Sequence, residues 1–130
     1  MDRTLGRETI PAEMLQLLVD IGYVATGCGR KKTAERIFES VLAARPGNEY
    51  VYIAYAFMHM VFGEYTAASK LLVEGALRVN PESEMAKAFY GFMLHQVGQR
   101  SQSHAVLEEV SAVGHDPDAV KLATKIIKEG

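Results

Sequence analysis

A block of about 34 residues recurs three times along this chain, and this internal repeat restricts the fold more than any other feature of the sequence. Two small residues and a large one return in the same order and at nearly the same interval: Gly29, Ala34 and Phe38, then Gly63, Ala68 and Leu72, then Gly98, Ser103 and Leu107. Each block ends near a proline, which helices do not readily continue through. The sequence therefore predicts three copies of one supersecondary unit that stack on one another.

Each unit carries two apolar stripes with helical spacing. In the first copy the stripes consist of Met14, Leu17, Leu18, Ile21 and Val24, and of Ala34, Ile37, Phe38, Val41 and Leu42. Residues at intervals of three and four share one face of an α-helix. A glycine stands between the two stripes, where a chain leaving a helix adopts a left-handed conformation. Each unit is therefore predicted to be a helical hairpin.

The segment 50–62 is almost wholly apolar and rich in aromatic and β-branched residues, which favour strands when taken alone. Its place in the repeat favours a helix instead. A helix that is apolar all round must be covered on both sides. We therefore place this segment in the middle of the stack.

The last segment has apolar and lysine-bearing sides, as expected of a terminal helix that caps a stack. The predicted organisation is a flexible N-terminal arm, 1–10, followed by a single domain, 11–130. Its parts are hairpins at 11–47, 48–81 and 82–115 and a capping helix at 117–129.

Composition excludes several classes of protein. With 48% apolar and 23% charged residues, the 130-residue chain is too hydrophobic to be disordered. A net charge of −2 gives no basic field for nucleic acid, so no nucleic-acid partner is expected. Cys28 is the single cysteine, which fits a reducing compartment. Without a signal-like start or a run long enough to span a bilayer, we expect a cytoplasmic protein with no membrane insertion.

The polar residues form no recognisable reactive constellation. The four histidines lack metal-ligand spacing, and neither HExxH nor CxxC occurs. We therefore expect no metal, no cofactor and no enzymatic activity. Arg30, Lys31 and Lys32 are interpreted as a solvated surface, with a docking patch as the alternative.

The repeat resembles the tetratricopeptide repeat (TPR). In the first copy the positions that are large or small in that family hold Leu18, Ile21, Gly22, Ala34, Phe38 and Pro46, and the second copy matches with Tyr52, Tyr55, Ala56, Ala68 and Leu72. The third copy departs from the pattern, with Lys87 in place of a large residue. Pro81 stands one position late, and Gly75 or Ala76 fills the small position before it. The resemblance implies an all-α fold, a right-handed superhelix of three hairpins plus a C-terminal capping helix.

A short chain of three such repeats also resembles the TPR chaperones of type III secretion. That family masks a hydrophobic or amphipathic segment of a needle or translocator subunit before export. The resemblance implies a protein-binding module whose partner is a secreted client or a small helical co-chaperone. The alternative is a generic TPR scaffold or assembly factor that self-associates, with a homodimer as the assembly.

In the TPR family the first helix of each hairpin lines a concave groove. Transferred to this chain, the predicted partner-binding groove consists of Val19, Tyr23, Tyr50, Ile53, Phe57, Met60, Val61, Met85, Ala88, Phe92 and His95. Aromatic and methionine side chains at helical spacing suit an apolar segment laid into a groove. The same residues would also suit an ordinary core or a face covered by a second subunit. Val19 and Tyr23 stand where a clamp for acidic Hsp70 or Hsp90 tails needs Lys and Asn, which argues against a heat-shock co-chaperone.

Overall fold

In the computed structural model, which describes residues 11–129, the chain forms seven helices and no strand. They are α1 (Ala12–Gly27), α2 (Lys31–Ala44), α3 (Glu49–Val61), α4 (residues 65–79), α5 (Glu84–Gln96), α6 (Arg100–Val113) and α7 (Pro117–Glu129). Helix α4 comprises an α-helical part, Tyr65–Lys70, a π-helical part, Leu71–Ala76, and a last turn, Leu77–Val79. The predicted N-terminal arm, 1–10, lies outside the described residues.

The first six helices form three hairpins, α1–α2, α3–α4 and α5–α6, and α7 closes the last of them. Inside each hairpin the turn contains a glycine with positive φ: 77° at Gly29, 76° at Gly63 and 85° at Gly98. An L-residue with a side chain is strained in this region. The predicted all-α fold, a superhelix of TPR-like hairpins with a capping helix, is confirmed, as is the helix over 50–62.

Small residues let the two helices of each hairpin cross at close range. Gly22 faces Phe38 in the first hairpin, and Gly91 faces Leu107 in the third. A Cβ placed on Gly22 would lie 2.7 Å from Phe38 Cζ, and one on Gly91 would lie 2.5 Å from Leu107 Cδ2. The equivalent residue of the second hairpin, Ala56, is fully buried. A larger side chain at these positions would force the helices apart.

The π-helical part of α4 explains why Pro81 stands one residue late. A π turn holds one more residue than an α turn, so it absorbs a single-residue insertion without rotating the helix beyond it. Gly75 and Ala76 are both buried there, and the ring of Tyr52 fills the space that a Cβ on Gly75 would need. The second copy therefore keeps its packing faces although it is one residue longer.

Helix α1 buries a different face from the stripe expected in its sequence. The residues turned to the core are Leu15, Gly22, Ala25 and Thr26. The expected stripe is instead exposed at Met14 (48%), Leu17 (53%), Ile21 (43%) and Val24 (64%), while Leu18 is half-buried. The sequence pattern alone did not distinguish the face that meets α2 from the face that lacks a described neighbour.

The capping helix α7 covers one face of the third hairpin. Ala119, Ala123 and Ile126 pack against Leu107 and Val110 of α6 and against Ala88 of α5. Their small side chains bring α7 close to both helices. The exposed side of α7 carries Lys121, Lys125 and Lys128, as a polar cap requires.

Candidate partner-binding groove

The first helices of the three hairpins, α1, α3 and α5, lie side by side and are joined by aromatic contacts. The ring centroids of Tyr23 and Phe57 are 6.0 Å apart, and those of Phe57 and Phe89 are also 6.0 Å apart, the latter edge to face. Such pairs are favourable beyond the area they bury. The row of three rings crosses the groove and divides it into two parts.

The first part is a cavity of about 450 Å³ between α1, α2 and α3. It contains three of the predicted groove residues, Val19, Tyr23 and Tyr50, and Tyr50 is 62% exposed at its rim. The remaining lining is supplied by Ala12, Leu15, Gln16, Val41, Arg45, Asn48 and Val51. The chain thus presents an apolar floor with polar groups at its edge, as is typical of ligand sites.

The second part is a cavity of about 300 Å³ on the other side of Phe57. Phe57, Met60, Val61 and Phe92, all predicted groove residues, line it together with Tyr65 and Gln96. Met60 is nearly buried at its floor, and Val61 is 50% exposed at its rim. Methionine adapts its shape to irregular partners.

Other predicted groove residues do not reach an open surface. Ala88 is fully buried beneath α7, and Met85 packs against the same helix. Ile53 is 4% exposed, within the core between α3 and its neighbours. His95 is half-buried, lines neither cavity, and its Nε2 has no hydrogen-bond partner among the described residues. The capping helix narrows the groove here because it occupies the place that a further hairpin would take.

The sequence interpretation missed several residues that line the two cavities. Leu15 and Val51 project from first helices, but at positions assigned to the hairpin interior. Val41 and Tyr65 belong to second helices, which were not considered part of the groove. Tyr65 follows directly after the Gly63 turn, and its aromatic ring was the available signal.

Electrostatic interactions accompany the groove at α1. Burial raises the pKa of the Tyr23 hydroxyl, and the nearby Asp20 carboxylate adds to this effect. Tyr23 therefore remains neutral at physiological pH and can donate a hydrogen bond at the cavity wall. Asp20 itself accepts a hydrogen bond from Gln16 Nε2 at 3.0 Å.

Polar contacts outside the two cavities connect the first two hairpins. Glu64, at the start of α4, accepts a hydrogen bond from Lys31 Nζ of α2 and lies 2.7 Å from Nδ1 of the buried His59. The Lys31 ammonium, followed by the His59 ring, lowers the pKa of the Glu64 carboxyl. Lys31 thus has a defined ion-pair partner rather than being part of an undifferentiated solvated patch.

A stack of rings reinforces this connection. The centroids of Tyr55 and His59 are 4.9 Å apart, and those of Phe38 and Tyr55 are 5.8 Å apart. Burial, with the carboxylate of Glu39 nearby, raises the pKa of Tyr55 to about 12. The hairpins are therefore held together by a neutral aromatic stack flanked by an ion pair.

Neither metal ligation nor membrane spanning has a counterpart in residues 11–129. Within this range His, Cys, Asp and Glu do not gather in a group of three or more that could hold a metal ion. Cys28 is a free thiol, exposed in the first hairpin turn. No helix of the same range combines the length and the apolar character that crossing a bilayer requires.

A family model for a bacterial type III secretion protein, HrpB1_HrpK, matches residues 7–129. The chain belongs to this family. Because the match takes in all seven helices, the groove and its two cavities are features of an HrpB1_HrpK member. No curated protein sequence matches the chain.

Solved structures show the same fold. The type III secretion translocator chaperone SycD of Yersinia enterocolitica superposes with a TM-score of 0.80 at 12% identity, covering 99% of this chain and 96% of SycD. SycD in complex with a peptide of the translocator YopD gives 0.73 at 13% identity, covering 93% and 92%. PcrH in complex with the chaperone-binding region of PopB gives 0.73 at 16% identity, covering 91% and 95%. At these identities the likeness establishes the TPR-like fold of this type III secretion protein.

Proposed function

We propose that the chain binds an apolar segment of a needle or translocator subunit in the groove formed by α1, α3 and α5. Burial in the groove would mask a segment that otherwise associates prematurely. Another machine would then release it for export. No reaction is part of this function.

The observation that carries the proposal is the pair of open apolar cavities on either side of Phe57. Together they offer space for two groups of apolar side chains from a single bound segment. Tyr50 and Val61 extend apolar surface to the rims, at 62% and 50% exposure. Apolar surface of this kind on one face of a chain is typical of a protein-binding site.

The relatives support the class of partner. The structure of SycD with a YopD peptide and that of PcrH with a region of PopB are complexes of this fold with translocator segments. A small helical co-chaperone could bring the same kind of apolar segment. Masking before export requires the protein to act in the cytoplasm.

The test is co-expression of the chain with needle and translocator subunits of the same secretion system, followed by co-purification and affinity measurement. Tyr50→Glu and Val61→Glu each introduce a charge at the rim of one cavity. We expect each to weaken client binding by at least about ten-fold, because a carboxylate must be desolvated against apolar surface. Val113→Glu, on α6 and 46% exposed, is the matched control. Client binding unaffected by both rim variants would contradict the groove assignment.

An assembly factor is the second candidate, because the description of the family extends to a type III secretion protein and no further. Cell fractionation distinguishes the two functions. A chaperone that masks clients before export is expected with the cytoplasmic proteins. Recovery only with the envelope, with no effect of loss of the chain on client levels inside the cell, would favour the assembly factor.

A further inference from the structure

The exposed apolar row on α1 consists of Met14, Leu17, Ile21 and Val24, at intervals of three, four and three residues. This is the heptad spacing of a helix that pairs with another helix. The row lies outside the groove, since neither cavity includes any of the four residues. Four apolar side chains that are 43–64% exposed on one helix face form a surface that calls for a partner.

The other two hairpins show what normally covers this surface. Leu17, Ile21 and Val24 correspond to Val51, Tyr55 and Met58 in the second copy, which are at most 9% exposed. There α2 covers them, through Phe38, Val41 and Ala44. In the third copy, Ala86 and Met93 are buried against Ala68, Leu72 and Ala76 of α4. The row on α1 is therefore a face shaped to receive a helix, and no helix of residues 11–129 covers it.

The charges around α1 indicate which helix fits. Helix α1 contains Glu13 and Asp20 and no lysine or arginine, and the exposed Arg30 and Lys32 follow its end. A helix that lies antiparallel to α1 should therefore be acidic where it begins, opposite the basic end. A second copy of α1 meets this requirement, because its Glu13 would face the Gly27 turn and Arg30 of the first copy. Its own heptad-spaced row supplies the apolar seam.

We infer that the chain forms a twofold dimer through α1, with the two helices antiparallel and Leu17 of each copy opposite Ile21 of the other. A twofold arrangement uses the same patch on both copies and forms each Glu13–Arg30 pair twice. The interface lies apart from the groove, so the dimer and the proposed function can fail independently. A single helix pair is smaller than a standard interface, and we expect a dissociation constant on the order of 10 µM.

The experiment is sedimentation equilibrium of the full 130-residue chain over a range of concentrations spanning that constant. The weight-average mass should rise from 14.3 kDa towards twice that value. Leu17→Glu and Val24→Lys should each keep the chain monomeric. Val113→Glu, of similar exposure on α6, should leave dimerisation unchanged.

Charge reversal tests the antiparallel register. Glu13→Arg and Arg30→Glu should each weaken the dimer, by about three- to ten-fold for two exposed ion pairs. The double variant should restore the wild-type association. Loss of association that the double variant does not restore would overturn the register.

Further outcomes overturn the inference. A dimer that survives both apolar-row variants but is lost in Tyr50→Glu would place the interface in the groove. A wild-type chain that remains monomeric while a chain without residues 1–10 dimerises would identify that segment as the occupant. Should the charged variants not fold, Leu17→Cys in a Cys28→Ser background keeps a small apolar side chain. It should form a covalent dimer with a short bismaleimide, and failure to crosslink would overturn the proposal.

Discussion

Leu107 Cδ2 rests against the backbone of Gly91 so closely that a Cβ at position 91 would lie 2.5 Å away from it. Leu107 is completely buried between α5, α6 and α7 and has no free space into which to withdraw. The crossing of α5 and α6 therefore depends on the absence of a side chain at this point. The same relationship between Gly22 and Phe38 sets the crossing of α1 and α2.

Gly91→Ala is expected to lower the free energy of unfolding by about 1–3 kcal/mol, because the added methyl overpacks the crossing. Urea denaturation followed by circular dichroism measures the change. Gly27→Ala is the matched control, since a Cβ at Gly27 would meet no atom within 4 Å. Equal effects of the two substitutions would mean that the close approach at Gly91 is unimportant for stability.

Ser103→Ala is expected to destabilise the chain by about 1 kcal/mol, the usual net contribution of a buried hydrogen bond. Ser103 Oγ donates to the Gly91 carbonyl oxygen at 2.7 Å, and Ser103 is fully buried. Alanine fits the space, because Ala34 and Ala68 occupy the equivalent positions of the other copies. The exposed Ser101→Ala is the control, and a thermal melt unchanged by Ser103→Ala would show that this bond adds nothing.

Deletion of Val73, an exposed residue in the π-helical part of α4, is expected to be tolerated. Loss of one residue turns the π turn into an α turn and leaves the packing faces on both sides in place. Deletion of the exposed Ala105 from the regular helix α6 should instead rotate the rest of that helix by about 100° and unfold the hairpin. Circular dichroism and thermal melts compare the two. Similar damage from both deletions would contradict the role assigned to the π segment.

Glu64→Gln is expected to lower the melting temperature at neutral pH, because it removes the ion pair with Lys31 and the contact with His59. The pKa of Glu64 is lower in the folded chain than its ordinary value of 4.5. Its contribution to stability is therefore present above pH 4.5 and is lost as the pH falls through the lower, folded-state pKa. The difference between the wild type and Glu64→Gln should disappear well below pH 4.5, whereas the exposed Glu82→Gln should show no such trend. A difference that persists in acid would rule out this ion pair as its cause.

Much of the fold followed from the sequence because a repeat supplies information that local propensity lacks. Residues 50–62 would be assigned to a strand by composition, yet their place between Asn48 and Gly63 identified them as helix α3. The late position of Pro81 was also visible in the sequence. Its structural answer, a π turn near Gly75, depends on how Tyr52 packs and could not be derived from spacing.

The groove was predicted less completely, since exposure depends on neighbouring elements rather than on repeat position. Val19, Tyr23 and Tyr50 line one cavity, as the family pattern suggested. Ala88 holds an equivalent position but is closed off by α7, which replaces a further hairpin. On α1 the outcome is the reverse, because residues that are buried in the other copies are exposed in this one.

The uncovered face of α1 also bears on how the chain comes apart. In a stack of hairpins each unit is stabilised by its own interior and by its contacts with adjacent units. The third hairpin has a neighbour on both sides, α4 and α7, whereas α1 has described neighbours on one side alone. Opening should therefore begin at the first hairpin and spread towards α7, so that amide protons of α1 exchange with solvent before those of α5. Whatever docks on α1 would then control the local unfolding of the groove wall that carries Tyr23.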